Sequence, residues 1–208
     1  DTDPWVAVSW SFNFPNSTGY YRFYSRAKDN ATNYESAPAV NDTICGYDNT
    51  APTSSVNTIS PYWQLSAPFT VTASASDSTS GVKNVTLWYR YSSDNVSFGI
   101  WTSFGTDTAA PWFWSFTAPS GDGYYEFYSI AIDNATLSEA APPSADAICA
   151  LDTISPNITS TTPANGALNV PLNQNIIIVF SEKMNTSSVV CTCSPNPSGW
   201  GSSWNATN

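Results

Sequence analysis

Residues 10–48, WSFNFPNSTGYYRFYSRAKDNATNYESAPAVNDTICGYD, return at 114–152 as WSFTAPSGDGYYEFYSIAIDNATLSEAAPPSADAICALD. The offset of 104 residues holds without a gap, and 22 of the 39 positions are identical. A period of about a hundred residues is the size of one β-sandwich domain, so the chain reads as a tandem array. A repeat of this kind points toward a stalk, fibre or adhesive surface and away from an enzyme.

Throughout the chain, Pro and Gly punctuate the sequence at short intervals and helical periodicity is almost absent, the pattern of an all-β protein. The middle unit, 51–154, is a complete domain of seven strands, near 52–59, 67–76, 82–92, 98–106, 111–118, 123–133 and 145–151. Turns such as Asp77-Ser-Thr-Ser-Gly81 and Pro119-Ser-Gly-Asp-Gly123 separate them. Residues 1–50 correspond to the last three strands of that unit. Residues 155–208 read as the opening of a different domain. Half a sandwich leaves open edges and a bare core face. Two readings therefore stand: a window of a longer tandem chain, or half-domains completed head-to-tail by neighbouring subunits.

The repeat also assigns faces. Along 123–133, Tyr125, Phe127, Ser129 and Ala131 match Tyr21, Phe23, Ser25 and Ala27 without change, whereas Glu126, Ile130 and Ile132 stand where Arg22, Arg26 and Lys28 stood. Period-two alternation makes the unchanged set the core face. Tyr128, Ile130 and Ile132 then form an apolar outer face, expected to meet a neighbouring domain or subunit or to lie under a loop of the same domain. On strand 82–92, Val85, Leu87, Tyr89 and Tyr91 point inward. Trp88 and Arg90 point outward beside Asn84, with stacking of guanidinium on indole expected there.

Charged residues make up 11% of the chain, against roughly 25% in an average domain. With a net charge of −10 and six cations in all, phosphate neutralisation is poorly served and nucleic acid is not an expected partner. The longest apolar run, Ile176 to Phe180, is strand-sized, so no membrane-spanning segment is expected. The chain opens at Asp1 with neither Met nor an apolar leader, as expected of a processed or excised mature segment. Nine Asn-x-Ser/Thr sequons, at Asn16, Asn30, Asn41, Asn84, Asn95, Asn134, Asn157, Asn185 and Asn205, are candidates for covalent glycans in a secreted, cell-surface setting.

The stretches VKNVTLWYRYSSD, GYYEFYSIAIDNAT and ADAICALDTISP resemble bacterial and archaeal Ig-like repeats of large surface proteins. The stretch SPNITSTTPANGALNVPLNQNIIIVFSEKMNTSSV at 155–189 resembles the opening of an S-layer-type Ig-like domain. The resemblance implies tandem immunoglobulin-like β-sandwich domains, a role in adhesion, surface coating or fibre formation, and no catalytic residues.

Histidine is absent from the chain, which removes Ser-His-Asp and Cys-His catalysis and His-containing zinc sites together. No Gly-rich phosphate loop is present and no organic cofactor is expected. Four cysteines remain. Cys45 and Cys149 are repeat equivalents, while Cys191 and Cys193 project the same way and suit each other poorly. The candidate bonds run from Cys149 to Cys191 or Cys193, and from Cys45 to the remaining one in a neighbour; the alternative is buried reduced thiols. Ca2+ is the candidate metal, through Asp1, Asp3, Asp29, Asp48, Asp133 and Asp152 near strand ends and linkers. The three lysines, Lys28, Lys83 and Lys183, do not repeat and give isopeptide chemistry no pattern. Beside the structural reading stands an adhesin that grips polysaccharide or a receptor through Trp88, Trp101, Trp112 and Trp200.

Overall fold

The computed structural model describes residues 9–194, 201 and 203. It contains strands and turns with no helix among the described residues, so no helix there is long and apolar enough to cross a membrane. The chain divides into two compact units, 1–153 and 154–208.

The complete domain holds eight strands: β3 (Thr53–Val56), β4 (Trp63–Gln64), β5 (Phe69–Ser76), β6 (Val82–Ser92), β7 (Thr102–Asp107), β8 (Phe113–Phe116), β9 (Gly123–Asp133) and β10 (Ala147–Leu151). One sheet runs β3-β5-β8 and the other β4-β10-β9-β6-β7. All seven expected strands are present. The addition is β4, two residues that pair parallel with β10 through Ala150↔Trp63 and Leu151↔Gln64. A strand this short shows no alternation, so periodicity passes over it.

Alternation fixes what each strand buries. In β5 Val71 and Ala73 point inward while Thr70, Thr72 and Ser74 face water. In β9 the expected core set, Tyr125, Phe127, Ser129 and Ala131, is fully buried. Phe116 sits at the centre of this core, 0% exposed, with ring centroids of Tyr89, Tyr125, Phe127 and Phe104 between 4.7 and 5.2 Å away. Burying such a ring is worth roughly 1.5–3 kcal/mol, and favourable ring pairs add about 0.5–1.5 kcal/mol each.

The turn into β9 is fixed twice. The Tyr125 hydroxyl donates to the Gly121 carbonyl at 2.7 Å, the tyrosine-corner arrangement of Ig sandwiches. Its repeat partner, the Tyr21 hydroxyl, donates to the Ser17 carbonyl at 2.8 Å. Gly123 adopts φ +140°, and a Cβ there would lie 2.6 Å from the Tyr91 ring and 2.9 Å from the Ser92 carbonyl oxygen.

The repeat's first copy forms β1 (Gly19–Phe23) and β2 (Thr43–Tyr47), an antiparallel pair in the register of β9 and β10. Residues 9–12, the counterpart of β8, take no strand form. In the complete domain β8 is held by its ladder to β5, and the described residues supply no counterpart of β5 for the first copy. In the second unit β11 (Ile158–Thr162) pairs antiparallel with β12 (Ile177–Phe180), with an irregularity between Ile158 and Ser160.

Candidate functional site at the domain ends

The outer face of β9 is covered from within its own domain at Tyr128. That ring is 6% exposed, stacked on Trp88 at 6.0 Å and tilted against Trp101 at 4.3 Å. Arg90 pairs with Glu126, Nη2 to Oε2 at 2.5 Å and Nε to the same oxygen at 2.6 Å. The indole under its guanidinium is Trp101, 4.7 Å from the centroid, with Phe98 at 5.2 Å; Trp88 is taken by Tyr128 instead. Ile130 and Ile132 are half-buried. Trp112 belongs to the core, and Trp200 lies outside the described residues.

Two carboxylates tie the sheets together at the opening edge. Glu139 accepts from the Ser54 N–H and hydroxyl and from the Ala131 N–H. Asp146 Oδ2 accepts from the N–H groups of Val56 and Ser129. Each acid thus holds β3 with one set of donors and β9 with another. The first copy repeats the β9 half: Glu35 accepts from Ala27 N–H at 3.0 Å, and Asp42 from Ser25 N–H at 2.7 Å. Those bonds lie exposed there, and Phe12, the counterpart of Phe116, is 46% exposed. The edge that holds β3 in the complete domain meets no strand among the described residues in the first copy.

Strand C-terminal ends bring a third set of acids together. Asp48 follows β2, Asp77 follows β5, and Asp133 closes β9; one carboxylate oxygen of each lies within 4.8 Å of the others. Unit charges that close repel by about 3 kcal/mol per pair at an effective dielectric near 20. Asp77 Oδ1 accepts from the N–H groups of Thr79 and Gly81 and the Ser80 hydroxyl. Asp48 accepts from Thr50 N–H and Ser80 N–H, and the Thr50 bond above all holds its carboxyl below the usual range. Asp133 is 0% exposed; its Oδ1 accepts from Leu137 N–H at 2.8 Å while its Oδ2 has no hydrogen-bond partner. Among the described residues none of the three is paired with a lysine or arginine. Asp48 also lines a cleft of about 190 Å³ with Tyr20, Tyr47, Ser80 and Asn134, between the first copy and the complete domain.

The two-sheet sandwich, its corner tyrosine and its repeat have sequence counterparts. Residues 50–138 match a family profile described as "Bacterial Ig domain", and residues 152–199 match one described as "Bacterial Ig-like domain". Both segments are bacterial Ig-like domains. No curated protein matches the chain.

Within these Ig-like domains the other candidate residues fall as follows. Of the metal candidates, Asp48 and Asp133 join the acidic set. Asp29 is engaged by Asn33 and Asp152 lies in the next linker, its N–H on the Gln64 carbonyl. Asp1 and Asp3 lie outside the described residues. Asp77 was legible only as a turn residue; nothing in the sequence places it beside the other two. Among the sequons Asn16, Asn30, Asn95, Asn157 and Asn185 are exposed, Asn41 and Asn84 half-buried, and Asn205 outside the described residues. The Asn134 side-chain amide donates to the carbonyls of Ser80 and Gly81, bonds a glycan on that nitrogen would disturb.

No disulfide joins Cys45, Cys149, Cys191 and Cys193. The expected bond from Cys149 to the last segment is replaced by a buried thiol, because the side chain faces the core of its own Ig-like domain opposite Tyr125. It is 1% exposed, and burial pushes its thiol up to about 12. At pH 8 only about one such thiol in ten thousand is thiolate, so native alkylation will reach Cys45 and Cys191 while sparing Cys149. Peptide mass mapping after iodoacetamide, with and without denaturant, checks this; equal labelling of Cys149 in both would contradict its burial.

Proposed function

We propose that the chain is a non-catalytic structural segment of an extracellular filament or cell-surface stalk, in which Ig-like domains succeed one another and donate opening strands across their ends. Bacterial Ig-like domains are typical of surface-exposed proteins, which supports that setting. The observation that carries the reading is the matched pair of edges. Glu139 and Asp146 clasp β3 in the complete domain, and Glu35 and Asp42 hold the same positions in the first copy, where no strand among the described residues meets them. The occupant that fits is an extended segment of the β3 type, offering alternate N–H groups to two acids and an apolar residue to the rings of Phe12, Phe14 and Tyr21.

Strand donation between copies makes association depend on Phe12. Sedimentation and electron microscopy of the 208-residue chain should reveal head-to-tail oligomers that grow with concentration. Phe12→Asp should return them to single particles with the complete domain's melting transition intact. Isolated particles at every concentration would reject donation between copies. Ca2+ and N-linked glycans fit this setting as partners of the surface.

A further inference from the structure

We propose that Asp48, Asp77 and Asp133 hold one Ca2+ ion that locks the β1–β2 pair onto the complete domain. The argument begins with Asp133. A fully buried carboxylate is tolerated when both oxygens are compensated, and its Oδ2 meets no donor. One of the two Asp133 oxygens lies within 4.8 Å of an oxygen from each of two further carboxylates, with no lysine or arginine paired to any of the three among the described residues.

The molecule contains its own comparison. Asp29 is the repeat counterpart of Asp133 and sits in the same tight turn, with Thr32 at φ 74° matching Thr136 at φ 71°. There the second oxygen is answered: Asn33 donates its backbone N–H to Oδ1 at 2.8 Å and its side-chain Nδ2 to Oδ2 at 2.9 Å. The residue at the matching position in the complete domain is Leu137, which keeps the backbone bond and offers no amide. The exchange of Asn for Leu removes the donor that would answer Asp133 Oδ2, in a residue whose carboxylate neighbours those of Asp48 and Asp77. A cation answers all three acids together, and the neighbouring cleft gives it a path from solvent.

The spacing selects the ion. Oxygens bound to one Ca2+ at 2.3–2.6 Å stand up to about 5 Å apart, whereas Mg2+ at 2.0–2.1 Å spans about 4 Å. A set lying within 4.8 Å falls inside the span of Ca2+. Water completes the six to eight oxygens the ion takes. Because Asp48 belongs to the linker after β2 and the other two acids to the complete domain, the ion adds to the Asp48–Ser80 bond between the two segments.

The test is the melting temperature of the full 208-residue chain after EDTA treatment, titrated with CaCl2 and in parallel with MgCl2. Extracellular Ca2+ modules bind at about 0.1–1 mM, so about 10 mM Ca2+ should raise the melting temperature by about 3–10 °C. MgCl2 should do markedly less. Asp77→Asn should abolish the Ca2+ shift while leaving the EDTA-treated melting temperature unchanged or higher, because one amide oxygen still accepts the bonds that Oδ1 receives. Asp48→Asn should abolish the shift too, with a lower EDTA-treated value as the Ser80 bond is lost. Leu137→Asn, which restores the amide found at Asn33, should raise the EDTA-treated value and weaken the Ca2+ response. No Ca2+ shift, an equal shift with Mg2+, or a shift that survives both Asp→Asn changes would overturn the assignment.

Discussion

Phe116→Ala will lower the stability of the complete domain by about 4–5 kcal/mol, the upper end of the range for buried phenylalanine. Its ring is fully buried and meets four aromatic centroids within 5.2 Å, so its removal forfeits both the transfer term and the ring pairs. Relaxation into the space is limited, because Tyr125 is tethered through its hydroxyl to Gly121 and Tyr91 through its own to the Asp122 carbonyl. The repeat supplies the control. Phe12→Ala removes the same residue at the same position of the first copy, where the ring is 46% exposed, and should cost about 1 kcal/mol or less. Chemical denaturation followed by tryptophan fluorescence measures both. Equal losses would show that the two copies pack alike, and the open-edge reading of the first copy would fail with them.

Gly123→Ala comes next, at about 2–6 kcal/mol. Part of the cost is backbone strain, about 1–3 kcal/mol for a non-glycine residue at φ +140°. The remainder is overpacking against Tyr91 and the Ser92 carbonyl, typically about 1–3 kcal/mol. Moving Tyr91 offers little relief, since Ser92 is backbone and lies nearly as close. Gly19, the counterpart, has φ +156°, and a methyl group there would meet nothing within 4 Å. Gly19→Ala therefore carries the backbone part alone, and the difference between the two variants isolates the steric part. A Gly123→Ala protein that melts with the parent would mean that the β6–β9 approach is looser than these distances state.

Much of this architecture was legible because the chain aligns with itself. Positions that stayed fixed across 104 residues, such as Tyr125, Phe127 and Ala131, proved to be core, and every strand of the complete domain long enough to alternate was found. What stayed hidden came from contacts that periodicity does not carry. Tyr128 lies on the outer, apolar face of its strand, and alternation left open whether a neighbour or its own domain covers it; Trp101, arriving from the segment before β7, does so. β4 is too short to show a period, and its partner is a parallel strand from the far end of the domain. The acidic set was half legible: linker position marked Asp48 and Asp133, whereas Asp77 required knowing that the β5 turn folds against both. For the cysteines, equivalence between Cys45 and Cys149 was correct, but burial of Cys149 depends on register with Tyr125, which spacing alone leaves open.

The parallel pairing of β4 with β10 matters for how the domain bears load. β4 lies near the entrance of the domain and β10 at its exit, and both run in the same direction. Tension applied through the chain ends pulls them in opposite senses along their length. The bonds between them, Ala150 N–H to the Tyr62 carbonyl at 2.9 Å and Asp152 N–H to the Gln64 carbonyl at 3.0 Å, are then sheared together instead of being unzipped one at a time. A two-residue strand thus acts as a mechanical latch, resisting extension far better than its length suggests.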